Sequence, residues 1–433
     1  MLSKIATRGG FGLAAVTLAV CLQPHAASAS SLTPLYFFCS QNNCTDGNMP
    51  IMPVLRDAAG NIFGTTLSDG ATDGGTVFVL KKSHNKYKFQ RIYLFCQQTN
   101  CTDGKEPSGS LIADVNGNVY GTVKQGGKHG HGAIFKLTPN AKQTKWKISL
   151  IYNFCLKSDC ADGADPYAGL TYQGASSGVS YDGTSPLFGT TTGGGTGGGI
   201  AYQMTLTKKN AKVKAIYNFC SQTNCADGYF PEAGLTMDAN GNLFGATDSG
   251  GTQNSGVAYE LSPQVGGGYA QTTLYTFCSL VNCADGTRPD YTLAMDGNGD
   301  LYGSTQNGGN SRNDGVIFKI HPNGTQSTET ALYTFCPSAD CTDGYLPIGP
   351  LTVDANGDIL GTTQNGGPND FGIIFKLHGS SESVLYSFCA LSNCNDGAAP
   401  YGGVVLDPSG NMYGTTITGG ANGNGGVVFE FKP

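Results

Sequence analysis

The sequence predicts an all-β fold: a seven-bladed β-propeller with four antiparallel strands per blade. Three observations predict it. A repeat is marked by seven cysteine pairs of one spacing, the short apolar runs alternate with no helical period, and the two ends of the repeat array hold complementary fragments.

The first element in the chain is a leader. Lys4 and Arg8 precede an apolar stretch from Phe11 to Leu22, and Ala27-Ser28-Ala29 supplies small residues for cleavage, so residues 1–29 read as a secretory signal peptide. Acylation at Cys21 is the alternative, with bulky Val20 against it. The apolar stretch is too short to cross a bilayer and no later segment is long and apolar enough, so no membrane span is expected. A secreted, periplasmic or cell-surface location follows. Loss of Lys4 and Arg8 from the 25 basic residues leaves 23 against 31 acidic ones, and only 13% of the chain is charged. Nucleic acid is therefore excluded as a partner.

Residues 30–433 read as one domain. Its 14 cysteines pair at one spacing: Cys39 with Cys44, Cys96 with Cys101, Cys155 with Cys160, Cys220 with Cys225, Cys278 with Cys283, Cys336 with Cys341 and Cys389 with Cys394. First cysteines step by 57, 59, 65, 58, 58 and 53 residues, the period of a supersecondary repeat. Each unit gives four strands: an LxxD run, a YGTT run, a GxxFxL run and an LYxFC run, with alternation plain in GVIFKI (315–320) and GIIFKL (372–377). A row of independent modules would show the same period. The ends decide against it, because the array opens with a lone LYxFC strand at Leu35 to Cys39 and its last unit stops at Phe429-Glu430-Phe431 without one. In a closed ring residues 34–39 complete the blade made by 402–431, leaving no open edge. A monomer is expected.

The units YGTTITGGANGNGGVVFEF (413–431) and LFGATDSGGTQNSGVAYEL (243–261) carry a resemblance. The chain resembles, over all seven units, the GloVer tandem-repeat family of exported bacterial proteins. That resemblance implies an exported repeat protein and brings no established reaction and no catalytic residues.

The cysteine pairs lack the histidines a zinc site would need, and seven equal copies of a spacing wider than C-x-x-C do not suit a redox centre. Structural disulfides are expected, each closing a short loop worth about 2 kcal/mol on the chain-entropy account. Every pair is followed by Asp-Gly, and Asp46, Asp103, Asp162, Asp227, Asp285, Asp343 and Asp396 fall on the face that also carries the Gly-rich loops. Two readings stand for them: a ring of carboxylates binding a cation or polyol at the rim, or caps that bind the N–H groups of their own turns. The D-x-x-G-N turns at Asp57, Asp114, Asp238 and Asp407, with Asp in the last place after Asp296 and Asp354, lack the twelfth-position Glu of a calcium loop and read as tight hairpins with a left-handed Gly. They belong to the opposite face.

The third unit breaks the pattern by inserting QGASSGVSYDGTSP after Tyr172. Within it Gly174 to Gly178 matches G-x-S-x-G without the strand-to-helix turn a nucleophile needs, and Gly193, Gly195 and Gly198 match a nucleotide loop by glycine density alone. His129 and His131 are the only close histidines after the leader, and a solvated loop explains them. No catalytic set, metal site or cofactor motif stands out. The expected function is a binding or surface-interaction module for a glycan or other extracellular or envelope polymer. The alternatives are a secreted hydrolase or lyase with its active site in the central pocket, and a structural surface protein. Departures from the repeat should gather at the channel for an enzyme and spread over the rim for a lectin-like binder.

Overall fold

The structure is a computed structural model that describes residues 30–69, 72–84, 86–207, 211–422 and 424–433. The expected leader, Cys21 included, lies outside them. Seven antiparallel sheets form the blades of a propeller. In blade 1 the strands Leu55–Arg56, Ile62–Thr66, Thr76–Ser83 and Lys86–Leu94 follow one another, as the four-run reading expects. Blade 7 orders its sheet as Ser31–Phe37, Val427–Lys432, Met412–Thr418 and Ala398–Leu406, so the N-terminal strand closes the ring. Pairing runs from Ser31 opposite Lys432 to Phe37 opposite Val427, which starts the strand four residues earlier than the LYxFC motif does. Blade 3 departs from the rule. Its sheet holds only Leu187–Thr191, Ile200–Leu206 and Ala211–Asn218, with a single bridge from Thr171 to Phe188 in place of an inner strand. The inserted residues replace the D-x-x-G-N hairpin that would turn an inner strand back onto its partner.

The recurrent residues explain themselves by packing. The Gly of each YGTT run lies opposite the aromatic residue of the GxxFxL run, as Gly64 does opposite Phe78 and Gly189 opposite Tyr202. A Cβ on Gly64 would fall 2.5 Å from the Phe78 ring, so only Gly lets the ring lie across the strand. That ring then meets the Phe of the LYxFC run from the preceding blade. The pairs are Phe38–Phe78, Phe95–Phe135, Phe154–Tyr202, Phe219–Tyr259, Phe277–Phe318, Phe335–Phe375 and Phe388–Phe429, with centroids 4.8 to 5.3 Å apart and planes tilted by 58 to 66°. Such geometry suits the quadrupoles of aromatic rings. Apolar clusters fill the blade boundaries, and the one joining Phe38, Tyr413 and Val428 to Val54, Ile62 and Phe78 seals blade 7 to blade 1. Among the described residues no helix is long and apolar enough to cross a membrane.

Inner strands are kinked. Blade 7 carries a register break between Pro400 and Val404, and in blades 2 and 6 the inner strand is cut into Lys105–Pro107 with Ile112–Ala113 and Tyr345–Pro347 with Thr352–Val353. Irregularities of this kind re-aim side chains. Here they set Ser108 and Tyr401, the residues after the Pro in blades 2 and 7, at the central cavity.

Deleting residues 30–37 would strip the outer strand from blade 7 and expose its edge. A loss of several kcal/mol, about what burial of Leu32, Tyr36 and Phe37 supplies, is expected as a lower melting temperature with aggregation, read by calorimetry and light scattering.

Candidate functional site

Seven disulfides are formed, joining each first cysteine to the one five residues on. Each bonded pair has both cysteines in the left-handed region, as at Cys278 (φ 59°) and Cys283 (φ 52°). Such backbone costs energy unless its surroundings hold it. The Asp after each pair supplies part of that hold. Asp285 accepts hydrogen bonds from Tyr275 Oη (2.9 Å), Ser279 N (2.8 Å) and Leu280 N (3.2 Å).

The same Tyr-to-Asp bond recurs at Asp46, Asp103, Asp162, Asp227, Asp343 and Asp396, at 2.5 to 2.9 Å. Pro337 has no N–H to give, so Asp343 takes the bond from Cys336 N instead (2.9 Å). Asp343 is half-buried and the other six are buried. All seven carboxylates therefore stand on the loop face but are turned into their own loops, the capping arrangement. The D-x-x-G-N turns are hairpins as expected, with Gly60 at φ 81° and Asp57 accepting from Asn61 N (2.8 Å).

The side chains that converge come from the residues that follow. Two residues past each Asp-Gly, the chain enters the left-handed region at Met49, Glu106, Asp165, Phe230, Arg288, Leu346 and Ala399, with φ from 54 to 59°. In that conformation the N–H reaches the Gly-rich loop of the preceding blade, as Arg288 N does to Ser255 O (2.9 Å) and Glu106 N to Gly74 O (2.9 Å). The next residue is Pro, and after it come Ile51, Ser108, Tyr167, Glu232, Asp290, Ile348 and Tyr401 in the seven units. All of these except Ile348 line one cavity of about 40 Å³ at the centre, with Tyr291 beside them.

Three carboxylates meet there. Oxygens of Glu232, Asp248 and Asp290 lie within 4.8 Å of one another. Asp248 comes from the end of the LFGAT strand in blade 4, where Phe230 O holds its N–H (2.9 Å). Arg288 Nε donates to Asp248 Oδ1 at 2.7 Å, and its outer nitrogen lies 3.8 Å from Asp290 Oδ2. Asp290 is 8% exposed, and its Oδ1 has no hydrogen-bond partner. Burial, then the Asp248 charge, push its carboxyl up to about 9 against the pull of Arg288. Burial also raises Glu232, with Asp248 adding to it and Lys124 and Arg288 opposing. Lys124 Nζ stands 4.9 Å over the Tyr167 ring. Ser304 Oγ and Gln306 Oε1 of blade 5 are likewise buried without partners.

The cavity lining mixes the carboxyls of Glu232 and Asp290 with the rings of Tyr167, Tyr291 and Tyr401 and with apolar Ile51 and Pro53 of blade 1. Deeper in the channel lies a cavity of about 350 Å³, lined in part by Ala175 and Ser176 of the third-unit insertion. Ser176 Oγ donates to Met237 O (2.7 Å) and Gln173 Nε2 to Asp238 O (3.0 Å), so the insertion is tied to blade 4. Ser176 is a structural hydroxyl. His131 sits near Cys155 and Cys160, whose sulfurs are spent in a disulfide, and it faces Asp165 at 3.5 Å.

A repeat described as the Gloeobacter/Verrucomicrobia repeat matches residues 25–186 and 172–355. No curated protein matches the chain. Solved structures of similar course include a Trypanosoma rangeli sialidase bound to the inhibitor DANA, at 9% identity and TM-score 0.45, covering 94% of this chain and 60% of that one. A protein of unknown function from Dyadobacter fermentans follows at 10% identity and TM-score 0.44, covering 92% and 96%. The GH93 α-L-arabinofuranosidase of Fusarium graminearum with arabinobiose is 11% identical at TM-score 0.43, covering 94% and 98%. This chain thus spans about 60% of the length of the sialidase.

Replacing Asp285 by Ala removes a buried carboxylate that satisfies a half-buried hydroxyl and two N–H groups, and should cost about 1–3 kcal/mol in denaturant titration. The same change at half-buried Asp343 should cost less.

A second outcome concerns pH. Glu329 and Glu382 pack near the Asp285 and Asp343 loops, and burial, then the charge of that Asp, raise each to about 7. Folded values above the unfolded one mean that the native state holds extra protons, so stability falls as pH rises through 7. The Glu329→Gln, Glu382→Gln double variant should melt higher than the parent at pH 8, with the gap closing by pH 5.

Proposed function

We propose, on the premise that this chain belongs to the Gloeobacter/Verrucomicrobia repeat family, that it is an exported binding protein. Its channel mouth takes the end or a short stretch of a glycan or other extracellular polymer. One observation carries the reading: the carboxyls of Glu232 and Asp290 and the rings of Tyr167, Tyr291 and Tyr401 line one cavity at the mouth. A sugar ring offers hydroxyls to carboxylates and C–H faces to rings such as Tyr291 and Tyr401, which stand 6.2 Å apart at 77°. The seven disulfides agree with an oxidising compartment outside the cytosol. An acidic mouth favours neutral or basic polymers over polyanions.

The second reading is a hydrolase. It is favoured because the departures gather at the channel and not along the rim, and because Asp290 holds its proton next to a charged carboxylate, as an acid–base pair would. Binding stays first since Arg288 occupies Asp248 and Asp290 Oδ1 is closed to solvent.

A glycan array followed by titration of the best ligand tests both. Tyr401→Ala should weaken binding by about tenfold, the size of one lost stacking contact. Absence of any saturating glycan, or affinity untouched by Tyr401→Ala, would overturn the binding reading. Release of reducing ends by the parent but not by Asp290→Asn would establish the hydrolase.

A further inference from the structure

We propose that Glu232, Asp248 and Asp290 form a binding site for a hard divalent cation, of the calcium class, at the mouth of the channel. Their oxygens lie within 4.8 Å of one another, close enough to share one ion. A cluster of acids alone would mean little. The second observation is the Asp290 carboxyl, more than nine-tenths buried, lining the central cavity, with Oδ1 unpartnered by any donor. Buried carboxylate oxygens are ordinarily satisfied, and a cation satisfies one without needing a hydrogen.

The donor set is all oxygen, which selects calcium, magnesium or manganese over zinc and copper. Gln306 Oε1, the amide oxygen at the place in blade 5 that Asp248 holds in blade 4, is also buried and unpartnered. Three carboxylates face two cationic side chains. Arg288 bonds Asp248 and approaches Asp290, and the charge of Lys124 acts on Glu232. Arg288 is the competitor. Its side chain is 48% exposed, so it can swing toward solvent and give the Asp248 oxygen to the ion. The ion site requires no polymer and stands whether or not the mouth binds a glycan.

The mature chain, stripped with chelator and desalted, is titrated with calcium chloride by calorimetry and with Tb³⁺ by luminescence excited through nearby tyrosines such as Tyr291. One saturating site is expected with a Kd of about 10⁻⁵ to 10⁻³ M. Asp290→Asn and Glu232→Gln should each weaken it at least tenfold, and Arg288→Gln should strengthen it by removing the competing charge. Asp159→Asn, an exposed acid of a disulfide loop, should change nothing. No saturation in either the parent or Arg288→Gln up to about 10 mM overturns the site. Equal isotherms for the parent, Asp290→Asn and Glu232→Gln do so as well, since the ion would then be adventitious. Should Asp290→Asn fail to fold by circular dichroism, the half-buried Glu232 and exposed Arg288 variants decide.

Discussion

The structure depends on one contact made seven times: the Phe that ends each outer strand, set obliquely against the aromatic ring in the third strand of the next blade. It can form only because the second strand offers a Gly where that ring lies down, and for blade 1 because the N-terminal strand that completes blade 7 supplies Phe38. Each pair adds roughly 0.5–1.5 kcal/mol beyond the area it buries. Its larger effect is geometric, since it fixes every blade at the same distance and angle from its neighbour. Blades so fixed become interchangeable frames, and whatever their inner ends carry is brought to one point.

That division explains what was legible. The residues that hold the frame repeat, so the blade count, the strand order, the staples and the closure by the first strand could be read from Cys, Gly and Phe columns alone. The turn-capping reading of the Asp-Gly aspartates was legible too, but its Tyr partner was not, because that residue lies ten positions upstream and its hydroxyl points inward only once the strand and loop are built. Glu232, Asp248 and Asp290 were illegible for a different reason. They depart from the repeat, two of them follow a Pro in successive units, and the third ends a strand. Only the kink in the inner strand shows that those two places share the channel. The available signal was the column after the Pro, which runs Ile, Ser, Tyr, Glu, Asp, Ile, Tyr directly beside a Pro that every unit keeps.

The third unit shows how far a departure can go before it harms the frame. Losing the inner hairpin removes one strand from the sheet, yet the Phe154–Tyr202 and Phe219–Tyr259 contacts on either side of blade 3 are kept. What the blade surrenders in backbone pairing it partly recovers through Gln173 and Ser176, which bond carbonyls of blade 4. The insertion thereby lines the deeper cavity. The mouth on the disulfide side is where the variable groups stand.

The staples now have a role beyond stability. From Cys283 the chain passes Asp285 and Gly286, takes Arg288 into the left-handed region, and reaches Asp290 two residues later. That short path is tied down by the disulfide, by the Tyr275 bond to Asp285 and by the Arg288 amide on Ser255. A carboxyl buried beside two others would relax outward if its loop could move, because hydration is worth more to it than a crowded interior. Rigid loops deny it that escape. The same loop architecture in blades 1 and 6 carries Ile51 and Ile348, apolar side chains that gain from burial. It follows that the loops are built stiffer than the apolar blades require, and that the excess is what keeps Asp290 facing the channel in a state that only a proton, a cation or a ligand can relieve.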